Sequence, residues 1–158
     1  MCRIIGIGLV FGVLVTGGCA GKGEHHQKLD PSGVPPQVRA AMESRFPGAQ
    51  VSSVEREKEH GDVVYDYELR QDGRKYEMDI KEDGTVLEVE KQLMGTDVPD
   101  AVARAVRDKY PNATVKEVME VDKVSGGRET PHHYEVTLSG AKAKEVNVSM
   151  EGQITEEE

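Results

Sequence analysis

The chain repeats itself at an offset of 64 residues, and no other feature limits the fold as tightly. Val34-Pro35-Pro36-Gln37-Val38 returns as Val98-Pro99-Asp100-Ala101-Val102. Phe46-Pro47-Gly48-Ala49-Gln50-Val51 returns as Tyr110-Pro111-Asn112-Ala113-Thr114-Val115, and Val54 meets Val118 in the same register. Farther on, Tyr67-Glu68-Leu69 corresponds to Tyr134-Glu135-Val136 once the second copy is given about three extra residues at 125–131. Gly84 and Val86 then meet Gly152 and Ile154. A pattern kept over this length with one insertion points to duplication of a small unit.

Each copy reads the same way. Pro35 and Pro99 suit the start of a helix, where a missing N–H costs nothing. Val38, Ala41, Met42 and Phe46 fall at helical spacing, as do Val102, Ala105, Val106 and Tyr110, and Pro47 and Pro111 end the two helices. Strands follow, the first over about 51–57. Val63, Tyr65, Tyr67 and Leu69 alternate with Val64, Asp66, Glu68 and Arg70, and after the Asp72-Gly73 turn Tyr76, Met78 and Ile80 alternate with charged neighbours. A second turn at Asp83-Gly84 leads to Val86-Leu87-Glu88-Val89-Glu90. The expected fold class is therefore α+β, with two tandem units at 34–95 and 96–158, each a helix packed on a four-stranded antiparallel sheet. A unit of about 60 residues buries little surface alone, so the two are expected to pair through their strands or their helices.

The first residues carry a different signal. Arg3, an apolar run at 4–15 and the small residues Thr16, Gly17 and Gly18 have the layout of a secretory leader, and the run is shorter than the roughly 20 apolar residues that span a bilayer. Val-Thr-Gly-Gly-Cys at 15–19 resembles the lipobox of bacterial lipoproteins, with Thr16 standing where leucine is usual. That resemblance implies a signal peptide over 1–18, lipid on Cys19, and a periplasm-facing outer-membrane anchor, since Ala20 replaces the aspartate that marks inner-membrane retention. With Cys2 removed and Cys19 acylated, no thiol is left for a disulfide, a nucleophile or a metal. Residues 19–33 hold few apolar groups and several breakers, and read as a flexible tether.

The 29 acidic residues outnumber the 20 basic ones, which disfavours nucleic acid as a partner and confines membrane contact to the lipid. Tyr65, Tyr67, Tyr76 and Tyr134 share parity with the aliphatic positions and are assigned to the core. The opposite, uncovered face carries Asp66, Glu68, Arg70, Lys75, Glu77 and Asp79, with Glu135 and Asn147 in the second copy. It is the candidate binding face. Its charges are expected to alternate in sign between strands and to give specificity in place of affinity. His132 and His133, with Glu129 nearby, form a weak metal candidate, because neighbours on a strand point to opposite faces. No catalytic residues are assigned: the carboxylates alternate along strands, the serines have no histidine at an interpretable spacing, and no phosphate-binding loop is present. No cofactor is assigned.

The Val-Pro-x-x-Val start, the Phe/Tyr-Pro-Gly/Asn-Ala-x-Val helix exit, the Tyr-Glu-Leu/Val strand and the Asp-Gly or Glu-Gly hairpin resemble the PepSY-like family related to β-lactamase-inhibitor proteins. The second copy departs from that pattern at 141–144, Ala-Lys-Ala-Lys, where a tyrosine-bearing strand start is expected. The resemblance implies a non-enzymatic, lipid-anchored periplasmic binding module that recognises or inhibits a protein or peptidase partner through its exposed sheet. The alternative is a small-ligand or metal-sensing accessory protein of the envelope.

Overall fold

Both helices start behind a proline and stop two residues before another. In the computed structural model, which describes residues 27–59 and 61–157, α1 (Pro36–Arg45) follows Pro35 and α2 (Asp100–Lys109) follows Pro99. The last turn of each closes on an aromatic amide. Phe46 N–H donates to Met42 O at 2.9 Å and Tyr110 N–H to Val106 O at 2.8 Å, after which Pro47 and Pro111 forbid another turn. Around them run β1 (Gln27–Lys28), β2 (Gln50–Glu59), β3 (Asp62–Gln71), β4 (Arg74–Lys81), β5 (Val86–Gln92), β6 (Thr114–Ser125), β7 (Arg128–Ser139), β8 (Glu145–Ser149) and β9 (Ile154–Glu157). The hairpin turns use the expected residues: Asp72 at φ 52° and Gly73 at φ 79° join β3 to β4. Among the described residues no helix is long and apolar enough to cross a membrane.

The expectation of two tandem helix-on-four-strand units is overturned. The described strands form one nine-stranded antiparallel sheet in sequence order, with only two short helices added to it. The join is β5 to β6, paired from Glu88↔Lys123 to Gln92↔Met119. A separate unit would leave both of these strands with unpaired backbone edges, and pairing them removes two edges at once. The last residues of the segment read as a tether also enter the fold. Gln27 and Lys28 pair with Arg56 and Glu55, Leu29 N–H donates to Val54 O at 2.9 Å, and Pro31–Gly33 forms a 3-10 turn. Leu93 N–H makes the corresponding bond to Val118 O at 2.8 Å, followed by a 3-10 turn at Gly95–Asp97.

One side of the sheet holds both helices. Val38, Met42 and Phe46 pack against a core that includes Tyr65, Tyr67, Leu69, Met78, Ile80 and Val89. Val102 and Val106 pack against Val118, Tyr134, Val136, Leu138, Val146 and Val148, with Leu93. Val89 and Leu93 share parity, so the two cores lie on the same side. What divides them is polar: Lys91 sits opposite Glu120, and Asp122 opposite Val89. Burial raises the Asp122 carboxyl above its ordinary value, against the pull of Lys91 and Arg45. The inserted residues of the second copy lengthen the β6–β7 hairpin, whose Val124 packs on the first core and whose Glu129 pairs with Arg45 of α1.

Candidate functional site

Residues directly opposite each other on neighbouring strands share a face, so the pairing register shows what the side away from the helices carries. One row runs Glu55, Asp66, Asp79, Glu88 and then Lys123 across β2 to β6. The next runs Glu68, Glu77, Glu90, Val121, His133 and Ser149 across β3 to β8. A third joins Arg70 to Lys75, and farther along the same side Met119 faces Glu135, which faces Asn147 and then Glu156. All eight residues expected on the binding face therefore stand on one side.

The expected alternation of sign is not found. Asp66 faces Asp79, Glu68 faces Glu77, Asp79 faces Glu88 and Glu77 faces Glu90. Like charges placed directly opposite destabilise a sheet. Several of them are buried, Asp79 at 3%, Glu88 at 4% and Glu90 at 2% exposed, as is Glu135 farther along the face at 5%, although both helices lie on the other side. Met119 and Val121 are buried on the same side. Glu135 of β7 acts on Glu77 of β4 across the two strands between them, the reach expected where a sheet curls toward this face.

Among the described residues two lysines pair with carboxylates of these rows. Lys75 Nζ lies 2.7 Å from Glu77 Oε1 and 2.9 Å from Glu117 Oε2, and Lys123 pairs with Glu88. Burial raises the Glu77 carboxyl above its ordinary value; Lys75 opposes this, and Glu135 and Glu117 add to it. Burial works to lower the Lys75 ammonium, but Glu77 and Glu117 outweigh it and hold the group above its usual range. Asn147 Nδ2 is 3.5 Å from Glu156 Oε2, while its Oδ1 is buried with no hydrogen-bond partner among the described residues.

The histidine candidate needs correcting in two respects. The register of β7 slips by one residue between Val121↔His133 and Asp122↔Pro131, leaving His132 as the extra residue of a bulge. A bulge sets two consecutive residues against one partner, so the rings are not sent to opposite sides. His132 Nδ1 and His133 Nδ1 lie 2.8 Å apart, and His133 Nε2 is 3.3 Å from Glu135 Oε1. Glu129 does not join them: it faces Val124 on the helix side and pairs with Arg45. Among the described residues no group of three or more His, Cys, Asp or Glu side chains could hold a metal ion. Cys19 and the leader lie outside the described residues.

The sequence reading did not place Glu88, Glu90, Glu117, Met119, Val121 or Lys123 on this face. The parity of Glu88 and Glu90 against Leu87 and Val89 was a usable signal. Met119 and Val121 gave none, because in β6 the apolar and acidic parities are exchanged: Glu120 and Asp122 take the helix side.

The profile of the β-lactamase-inhibitor-like, PepSY-like family matches residues 64–156, and that of the peptidase propeptide and YPEB domain matches residues 36–90. Neither description names a catalytic activity. No curated protein matches the chain. Among solved structures, a BLIP-like protein from Bacteroides fragilis is 22% identical and superposes with a TM-score of 0.56 over 80% of this chain and 89% of its own. A protein from Bacteroides eggerthii described as periplasmic is 15% identical, with a TM-score of 0.61 over 79% of this chain and 88% of its own. A DUF2874 family protein from Bacteroides ovatus is 15% identical, with a TM-score of 0.58 over 79% and 86%. These likenesses concern the fold, whereas the profile match covers more than half the sequence: the chain belongs to the PepSY-like, β-lactamase-inhibitor-like family.

Proposed function

We propose that the chain is an envelope binding protein that holds a partner protein against the acidic face of its sheet. The observation that carries this reading is the set of carboxylates in Asp66, Glu68, Glu77, Asp79, Glu88 and Glu90, placed opposite one another on the side away from both helices, with Glu77, Asp79, Glu88 and Glu90 buried. A dense set of carboxylates on the side of the sheet away from both helices offers a complementary surface to a cationic partner. Its charge suits a partner that presents lysine or arginine, with association that weakens as salt rises. The names of the matched families, one inhibitor-like and one a peptidase propeptide, agree with a peptidase or other protein as that partner. The lipobox-like run at 15–19 supports a lipid anchor on Cys19 facing the periplasm.

Two experiments test the reading. Capture from solubilised envelope should retain a protein with the parent chain at low salt, with or without chelator. A Glu68→Gln, Glu77→Gln variant that still folds should lose at least tenfold of that capture. Retained capture by the variant would move the site off this face, and capture abolished by the chelator alone would favour the metal-dependent alternative. Labelling with a radioactive fatty acid should mark the parent and not Cys19→Ala; equal labelling of both would remove the anchor.

A further inference from the structure

On the helix side, away from the acidic face, an apolar cleft of about 260 Å³ opens between α2 and β6. Val106 and Val118 are buried in its lining, Ala103 and Val115 are exposed, and Arg107 is the one charged residue among the described residues that line it. The matching flank of α1 is more deeply buried, for a reason visible in two substitutions. Where α2 has Ala103, α1 has Arg39, whose Nη1 donates to Val34 O at 2.9 Å and Ser32 O at 3.3 Å. The guanidinium thus lies against Val34, the counterpart of the cleft wall Val98. Where α2 has Val106, α1 has Met42, a longer chain that fills the gap. Burial follows: Val34 is 2% exposed and Val51 packs into the core, while Val115 is 46% exposed.

We infer that this cleft binds a small amphiphile with a short apolar tail and a carboxylate head, the tail against Val106 and Val118 and the head on Arg107. A dry apolar cavity of about 150 Å³ accepts a benzene ring, and drug-sized sites begin at about 300 Å³, so the cleft fits an alkyl or aryl tail of a few carbons. Charge selects the head. In a chain of formal net charge −9 a carboxylate is repelled from most of the surface, yet among the described residues the only charge lining this opening is a guanidinium, a group that pairs with carboxylate through two parallel hydrogen bonds. The inference is independent of the acidic face, since the two sites lie on opposite sides of the sheet.

Octanoate is the probe, with octan-1-ol as its uncharged counterpart, and titration calorimetry and thermal melting as readouts on the full chain. Octanoate is expected to bind saturably and to raise the melting temperature with concentration. Arg107→Gln should weaken octanoate at least tenfold and leave octan-1-ol unchanged. Val106→Met alone, and Val106→Met with Ala103→Arg, install the residues of the α1 flank and should abolish binding while melting as cooperatively as the parent. The inference is overturned if octanoate does not bind saturably, if it binds the Val106→Met variant equally well, or if octan-1-ol binds the parent as tightly as octanoate. It is also overturned, in favour of a second copy of the chain as occupant, if the parent dimerises at micromolar concentration and Val106→Met makes it monomeric.

Discussion

The two halves of the sheet share a backbone and differ in what fills it. Bulges fall at Ser52 in β2 and Lys116 in β6, and again at Leu87 in β5 and Thr155 in β9. In both halves the glycine of the last hairpin lies under the first turn of the helix, Gly84 against Gln37 and Gly152 against Ala101. The side chains are another matter. Phe46 is 9% exposed and its ring stands 4.8 Å from that of Tyr76, whereas Tyr110 is half-buried and its hydroxyl donates to Glu157 Oε2 at 2.5 Å. The counterpart of Tyr76 falls in the 141–144 stretch, which supplies only Ala141 and Ala143 to the second core. Turn and cap residues specify the frame, and they recur; the filling can change as long as the frame closes. The first half is thus packed for stability, and the second carries the open cleft, the longer hairpin and the histidine bulge.

The comparison can be broken most forcefully at the helix exits. Phe46→Ala should cost about 3–5 kcal/mol, and Tyr110→Ala only about 1–2 kcal/mol, because a half-exposed ring gives up less burial. Urea unfolding of the two variants measures this, and equal losses would mean the halves are equally packed. The hairpin glycines come next. Gly152 has φ +81°, and a Cβ there would stand 2.7 Å from the Cβ of Ala101 and 3.1 Å from its backbone; at Gly84, φ +87°, the nearest atom is Gln37 O at 3.0 Å. Alanine at either should cost about 2–4 kcal/mol, with Gly152 the worse of the two.

A smaller effect with the opposite sign is expected at Tyr67. Its ring is 1% exposed, its hydroxyl is buried with no hydrogen-bond partner among the described residues, and burial raises its ionisation above the usual range. Tyr67→Phe should therefore leave stability unchanged or raise it by up to about 1 kcal/mol. The second-half residue in the matching place, Tyr134, is 6% exposed, and Tyr134→Phe serves as the control.

The helix ends, the hairpin turns and the tyrosine core were legible because each rests on local chemistry: a proline that stops a helix, an Asp-Gly pair that turns a strand, a parity of two. β1 was not, since two residues have no periodicity and Leu29 declares itself only by its bond to Val54. Nor was the β5–β6 junction, because joining two edges is a choice between distant segments that neither strand records. The binding face was half legible. Parity put Asp66, Glu68, Glu77 and Asp79 on one side, but only the register shows that they face one another. The bulge at His132 changes which side a ring takes by a one-residue slip, and no composition rule marks it.

The central claim is that the acidic face serves a partner and that Glu77 stands there at the expense of the fold. Burial raises Glu77 above the ordinary 4.5, so the folded state holds more protons than the unfolded one between that value and its own higher one. Stability attached to Glu77 is then present at low pH and lost as pH rises through the folded value; Asp122, raised by burial above 3.8, acts in the same direction. The deciding measurement is the unfolding free energy in urea of the parent and of Glu77→Gln, at pH 7 and again near pH 5. The account predicts that Glu77→Gln is the more stable protein at pH 7 and that the parent closes the gap as the pH falls. A variant less stable than the parent at pH 7, with a gap that does not change with pH, would make the carboxylate a structural member of the sheet and contradict the claim.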